Sequence, residues 1–169
     1  MDDNKCEKTF TVVKKENNTE VTAIRIPEGM IAEIEKIIEE TKDYSYKPDF
    51  VISAMRYFLG WVREDLISGL DKIMDAGDTD IRAQASAIIA DWQEDLSDEY
   101  QSRYTGTHKM ILLRIPSGLK DRWESIGRLS SGIENLQDFL RLALTKYIRY
   151  VKEEQKADSL ADDALRSRT

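Results

Sequence analysis

The sequence contains little glycine, proline or cysteine. Eight of its 169 residues are glycine and three are proline, which together is about half the share found in average proteins. This scarcity predicts long helices and few turns. The one cysteine, Cys6, has no partner for a disulfide within the chain, and a single cysteine with a single histidine, His108, does not make a zinc site. We therefore expect neither a metal nor any other cofactor.

Long hydrophobic runs are also lacking. No apolar run approaches the roughly 20 residues needed to span a bilayer, and the first residues have no apolar stretch of the kind found in secretory signals. We therefore expect a cytoplasmic protein with no membrane partner. Acidic residues outnumber basic ones by 32 to 25, giving a net charge of −7, and this disfavours binding of polyanions through bulk charge. The hydrophobic content of 41% is enough for a buried core.

The sequence also lacks the motifs of common catalytic sites. It contains no G-x-S-x-G, no G-x-x-x-x-G-K-[ST], no H-E-x-x-H and no dinucleotide-binding fingerprint. Acidic pairs such as Asp78 and Asp80 are typical of protein surfaces and helix caps. Aromatic residues recur at helical spacing at positions 57, 58, 61, 147 and 150, and this spacing favours a core over a platform for stacking RNA bases. We expect a protein that is not an enzyme.

The sequence does contain an internal repeat. Residues 22–62 align without a gap on residues 111–151, at an offset of 89 residues, and ten of the 41 aligned pairs are identical. The identical pairs include Arg25 with Arg114 and a following Ile-Pro-x-Gly in both copies. The repeat predicts two copies of one small fold.

Each copy predicts a strand followed by two helices. The aliphatic runs 21–26 and 110–115 end at a proline and are typical of strands. Apolar residues at helical spacing then predict one amphipathic helix, and a second helix begins after a polar break. In the second copy Asn135 and Asp138 are spaced as N-cap and third helical residue. In the first copy Tyr46 occupies the cap position, so the side-chain cap is lost.

This order of elements, with an aliphatic-Arg-Ile-Pro-x-Gly strand end and an Asp-Phe pair at the second helix, resembles the ribbon-helix-helix family of DNA-binding proteins. The resemblance covers both repeats. It implies a mainly α fold with a small antiparallel β-ribbon, formed by two copies that interlock, and a ribbon that enters the major groove of double-stranded DNA. We expect an intramolecular pseudo-dimer, with strand 21–26 paired to strand 110–115. Pairing between two chains, and further assembly into a homodimer, remain open.

The outward side chains of such a ribbon would decide its sequence preference. Strand alternation nominates Ala23 and Arg25 from the first strand, and Met110, Leu112 and Arg114 from the second. Arginine can bond O6 and N7 of guanine together, and small apolar side chains can touch the thymine methyl group. We expect Arg25 and Arg114 to be the principal readers. The alternative is that they only cover the sheet or pair with acids.

The resemblance also implies a phosphate anchor at the start of the second helix, through backbone N–H groups and the helix dipole. The matching residues are Lys47 in the first copy and Asn135, Leu136 and Gln137 in the second. Pro48 lacks an N–H group, so we expect the second copy to anchor better. Residues 107–151 contain eight basic and four acidic residues, whereas residues 1–62 contain nine basic and twelve acidic residues.

The repeats leave three other segments. Residues 63–106 form an acidic linker with four basic and eleven acidic residues, in which apolar residues from Ile81 to Leu96 at helical spacing predict a helix. Residues 1–62 include a run from Thr9 to Val13 that predicts an extra strand, and residues 152–169 predict a charged helical tail that frays at its end. The sequence therefore divides into 1–62, 63–106, 107–151 and 152–169. We expect the linker to pack on the repeats and return the chain; docking of a protein partner is the alternative.

Two functions remain from this reasoning. The first is a sequence-specific DNA-binding transcriptional regulator that reads the major groove with its ribbon. The second is a protein-interaction module or inhibitor that has kept this fold, lost DNA binding and uses its acidic linker and apolar ribbon.

Overall fold

The computed structural model describes residues 19–75, 80–130 and 132–168. These residues form, in chain order, β1 (Thr19–Pro27), α1 (Glu28–Thr41), α2 (Lys47–Asp75), α3 (Ile81–Arg103), β2 (His108–Pro116), α4 (Ser117–Gly127) and α5 (Leu136–Arg166). The described part of the chain is therefore mainly helical, with one two-stranded antiparallel sheet, as the sequence predicts. The strand predicted from Thr9 to Val13 lies outside the described residues.

Short polar side chains mark where two of the helices begin. The carboxylate of Asp80 accepts a hydrogen bond from the N–H of Ala83 at 3.1 Å, and the side-chain oxygen of Asn135 accepts one from the N–H of Asp138 at 2.9 Å. Each bond pairs a first-turn amide that has no partner within the helix. The cap predicted at Asn135 is confirmed.

The start of α2 has a different arrangement, because Tyr46 offers no side-chain cap. The carboxylate of Asp49 instead accepts a hydrogen bond from the N–H of Ser45 at 3.1 Å. The carbonyl of Tyr46 accepts bonds from the N–H groups of Asp49 and Phe50. A side chain inside the helix thus bonds back to the residue that precedes the cap position.

The two strands run antiparallel, from the pair Thr19 and Pro116 to the pair Pro27 and His108. Gly106 has a φ of 102°, a conformation that suits glycine, and it turns the chain from α3 into β2. One face of the sheet is buried and consists of Ile24, Ile26, Ile111, Leu113 and Ile115. The strands of the two sequence repeats thus pair with each other within one chain.

The helices pack on this buried face and on one another. Phe58 from α2 lies at the centre of an aromatic cluster, with its ring centroid 5.3 Å from that of Trp92 in α3 and 5.4 Å from that of Phe139 in α5. Phe58 and Phe139 are fully buried. The helix predicted in the acidic linker is therefore part of the common core, to which it contributes Ile89, Trp92 and Leu96.

A polar cluster on Glu33 fastens α1 to α3 and α5. The Glu33 carboxylate accepts hydrogen bonds from the Tyr104 hydroxyl, from Arg103 at 3.1 Å and from Lys152 at 2.7 Å. Burial acts to raise the pKa of Glu33, but the hydrogen bonds from Lys152 and Tyr104 and the charges of Lys152 and Arg103 outweigh it and lower that pKa. The ionised form of Glu33 therefore contributes to stability.

The last helix, α5, continues without a break from the core into residues 152–166, whose side chains are mostly exposed. The predicted charged tail is thus helical as far as Arg166. Within residues 19–75, 80–130 and 132–168, no helix is both long enough and apolar enough to cross a membrane.

Candidate nucleic-acid interface

The outer face of the ribbon is exposed from Val21 to Arg25 on β1 and from Met110 to Arg114 on β2. It consists of Val21, Ala23 and Arg25 from β1 and of Met110, Leu112 and Arg114 from β2. Its apolar members are as open as its charged ones, since Val21 is 56%, Met110 61% and Leu112 65% exposed. The five residues that the sequence nominates therefore share one surface. We call these five residues and Val21 the ribbon face.

Sequence reasoning missed Val21, although the necessary signal was present. Val21 follows the same alternation as Ala23 and Arg25, and the repeat aligns it with Met110. It lies directly opposite Arg114 in the sheet. Each arginine of the ribbon face thus has an exposed apolar side chain as its cross-strand neighbour, because Arg25 lies opposite Met110.

The register places matching residues of the two repeats symmetrically. Ala23 lies opposite Leu112, and these two residues are also aligned with each other in the repeat. Arg25 and Arg114 lie on either side of this central pair, on different strands. Four residues of strand separate them along the ribbon, which corresponds to about 14 Å at the usual rise per residue.

The backbone of Arg25 is held by Gln137, at the start of α5. The N–H of Arg25 donates to the Gln137 side-chain oxygen at 2.8 Å, and the Gln137 side-chain amide donates to the carbonyl of Arg25. The amide therefore pairs with the strand edge in the way a neighbouring strand would. Because both backbone groups of Arg25 point away from β2, Arg25 occupies a non-hydrogen-bonded position of the ladder, where facing side chains are closest.

The repeat does not preserve this contact on the other strand. The residue aligned with Gln137 is Pro48, which has no side-chain amide and no N–H group. Pro48 cannot hold the backbone of Arg114 as Gln137 holds that of Arg25. The two ends of the ribbon are therefore supported differently.

The residues predicted to anchor phosphate lie at the starts of α2 and α5, but several have other contacts. The Lys47 ammonium donates to Glu35 at 2.8 Å, and this contact lowers the pKa of Glu35. The side chain of Asn135 caps α5, and the side chain of Gln137 bonds to the backbone of Arg25. The first-turn backbone amides of Leu136 and Gln137 are the groups here that have no acceptor within the helix.

Comparison of this chain with known protein families, with characterised proteins and with solved structures finds no match. A proposal for its function therefore depends on its own residues and their arrangement.

Proposed function

We propose that this chain is a sequence-specific regulator of transcription that binds double-stranded DNA. In this proposal it is a tandem ribbon-helix-helix protein whose two repeats form a pseudo-dimer within one chain, and its ribbon enters the major groove. A two-stranded ribbon has a size that the major groove of B-form DNA admits. No catalytic role is proposed.

The observation that carries this proposal is the arrangement of the ribbon face. Arg25 and Arg114 are exposed on both sides of the pair formed by Ala23 and Leu112. Replacing each residue by its aligned residue in the other repeat converts the cross-strand pair Arg25–Met110 into the pair Arg114–Val21, which is also present in the sheet. The pairing of the strands therefore follows the symmetry of the repeat. A local twofold relation of this kind supports the pseudo-dimer and matches a reader with two related contact points.

The ribbon face contains the chemical groups that direct base readout needs. Each guanidinium offers a fork of N–H donors that fits O6 and N7 of a guanine, and the apolar side chains between them suit thymine methyl groups. A separation of about 14 Å between the arginines corresponds to roughly four base pairs, if the ribbon follows the groove. The expected site has two guanines at this spacing, with thymines between them.

A second candidate function is supported by the exposed apolar area of the same face. Val21, Met110 and Leu112 are all more than half exposed, and exposed apolar patches often mark protein interfaces. The linker helix α3 also presents the acidic residues Asp91, Glu94, Asp95 and Asp98. These features suit a protein-interaction module that no longer binds DNA.

Salt dependence of binding separates the two functions. The purified protein is titrated by fluorescence anisotropy against a pool of random duplexes at low and moderate salt, and the retained duplexes are selected and sequenced. The proposal predicts enrichment of a short motif and a loss of affinity as salt rises, because lysine and arginine contacts to phosphates release counterions. Absence of binding at low salt would contradict the proposal and favour the protein-interaction module.

A double variant makes this test specific for the ribbon. Arg25→Ala with Arg114→Ala removes both proposed readers, and Lys36→Ala with Lys156→Ala removes two positive charges from exposed helical positions. The proposal predicts loss of motif enrichment only in the arginine pair. Equal losses in both double variants would mean that bulk charge, and not the ribbon face, holds the DNA.

A further inference from the structure

One end of the ribbon borders a basic cleft. The cleft is lined by Arg25 and Met110 of the ribbon face, by His108 at the start of β2 and by Arg141 of α5. It therefore brings Arg141 and His108 next to Arg25 and Met110. The side chains of Arg141 and His108 are hydrogen-bond donors that suit an anion such as phosphate.

The contact between Gln137 and the backbone of Arg25 explains why Arg141 lies next to the ribbon. Gln137 and Arg141 are four residues apart in α5 and so lie on the same face of that helix. Since Gln137 bonds to the backbone of Arg25, the next turn of the helix carries Arg141 to the side of Arg25 and Met110. The cleft is thus built by a contact between the two repeats.

Arg141 is held in place but retains donor capacity. Its guanidinium lies 5.6 Å from the ring centroid of Tyr100, and the nearest atoms of Arg141 and Asp138 in their ion pair are 3.8 Å apart, longer than a hydrogen bond. Its Nε is buried and has no hydrogen-bond partner within the described part of the chain. A buried donor without a partner is costly, so the guanidinium of Arg141 is not fully paired by the groups around it.

The repeat does not carry the same charged residues to the other end of the ribbon. The residues aligned with the cleft are Arg114 for Arg25, Val21 for Met110, Thr19 for His108 and Ile52 for Arg141. One arginine is therefore kept, while the second arginine and the histidine are replaced by uncharged residues. Among these aligned positions, the second arginine and the histidine occur only at the end of the ribbon that contains Arg25.

We propose that this cleft binds one phosphate of the DNA backbone and thereby fixes the direction in which the protein lies on its site. This inference rests on the proposed function. The ribbon face is close to symmetric and reads two related points, whereas the cleft engages only one flank. The protein consequently distinguishes the two orientations of a nearly palindromic site by a phosphate contact and not by a base.

The single histidine of the chain is a direct reporter of the cleft. His108 gives the one set of histidine C–H resonances in the NMR spectrum, and inorganic phosphate is titrated into the protein at constant pH and constant ionic strength. We expect a saturable shift of these resonances that is lost in Arg141→Ile and kept in Lys156→Ala on the same helix. Isoleucine is chosen because the first repeat has Ile52 at the aligned position. A shift that is absent, or equal in the wild type and Arg141→Ile, overturns the inference.

The orientation on DNA is tested with the selected duplex carrying a neutral methylphosphonate in one flank or in the mirror-related flank. We expect a loss of affinity of about tenfold for one flank alone, the order of one charge-assisted hydrogen bond, and equal affinities for both flanks in Arg141→Ile. Equal losses for both flanks in the wild type overturn the proposed orientation. If phosphate shifts His108 but no duplex binds, the anion site stands while the proposed function and the DNA phosphate are both wrong.

Thermal unfolding of each variant serves as the control for folding. Arg141 is half-buried, so Arg141→Lys is prepared beside Arg141→Ile and keeps the charge. The inference predicts that Arg141→Lys restores part of the phosphate-induced shift of His108. A loss in both variants at unchanged thermal stability means that charge at this position does not hold the anion, and it overturns the inference.

Discussion

Ala23 and Leu112 face each other across the ribbon, and they are also the same position of the two sequence repeats. The centre of the sheet therefore coincides with the centre of the duplication. A strand slipped by one residue would turn the buried isoleucines to solvent and the arginines to the core. The register that buries Ile24 and Leu113 is thus the same register that leaves Arg25 and Arg114 outside.

The first prediction concerns Arg114. Replacement by alanine removes a guanidinium that is proposed to bond one guanine, and we expect specific DNA binding to weaken by about 1–3 kcal/mol with relaxed preference at that base pair. Titration of the variant against the selected duplex and against duplexes altered at single positions measures both effects. An affinity equal to that of the wild type would remove Arg114 from the readout.

Lys156→Ala is the matched control for charge. Lys156 is exposed on α5, fifteen residues beyond Arg141, which is about 22 Å along the helix. We expect this variant to keep the sequence preference of the wild type. A relaxed preference in Lys156→Ala would mean that the assay reports net charge and not base contact.

The second prediction concerns the clamp between Gln137 and the backbone of Arg25. We expect Gln137→Ala to lower the free energy of unfolding by about 1–2 kcal/mol, because two hydrogen bonds are lost. Hydrogen exchange at the Arg25 amide should also accelerate, since this N–H donates to Gln137. Asn135→Ala, which removes the neighbouring helix cap, should destabilise by a similar amount without selective exposure of Arg25. Unchanged exchange at Arg25 in Gln137→Ala would contradict the clamp.

The third prediction concerns pH and Glu33. The pKa of Glu33 in the folded protein is below its ordinary value of 4.5, so its ionised form stabilises the fold at pH values above the ordinary pKa, and this contribution is lost as the pH falls through the lowered one. Urea unfolding should show that Glu33→Gln is less stable than the wild type at neutral pH and that the difference shrinks in acid. Glu39→Gln, at an exposed position of the same helix, provides the control. A difference that is constant with pH would contradict this assignment.

The fourth prediction concerns the linker helix. Trp92 is buried against Phe58 and Trp61, and we expect Trp92→Ala to cost about 3–5 kcal/mol in the free energy of unfolding. Ile81→Ala, at an exposed position of the same helix, should change stability by about 0.5 kcal/mol or less. If both variants unfold at the same denaturant concentration as the wild type, α3 is not part of the cooperative core.

The elements of the fold were predictable because their signals are local. The alternation of Ile24 and Ile26, the prolines after both strands and the cap at Asn135 act within a few residues of the chain. The repeat then indicated which strand pairs with which. The start of α2 was less predictable, because Tyr46 gives no side-chain cap and Asp49 bonds back to Ser45 from inside the helix.

The candidate site was predictable only in part. Strand alternation placed Ala23, Arg25, Met110, Leu112 and Arg114 on one face, and the same rule applied one step further includes Val21. The contacts of Gln137 with Arg25 and the cleft lined by both Arg141 and His108 join residues far apart in the chain. Such contacts depend on how α5 packs against β1, and periodicity within one element carries no information about them.

Replacement of guanine N7 in the selected duplex tests the central claim most directly. A 7-deazaguanine keeps Watson–Crick pairing but removes one major-groove acceptor that an arginine fork uses. We expect this substitution to weaken wild-type binding at each of the two guanines. In Arg25→Ala it should have no further effect at one guanine, and in Arg114→Ala no further effect at the other. Such loss of effect is what a direct contact between each arginine and its guanine requires. Binding that is indifferent to 7-deazaguanine at every position of the duplex would contradict major-groove readout by the ribbon.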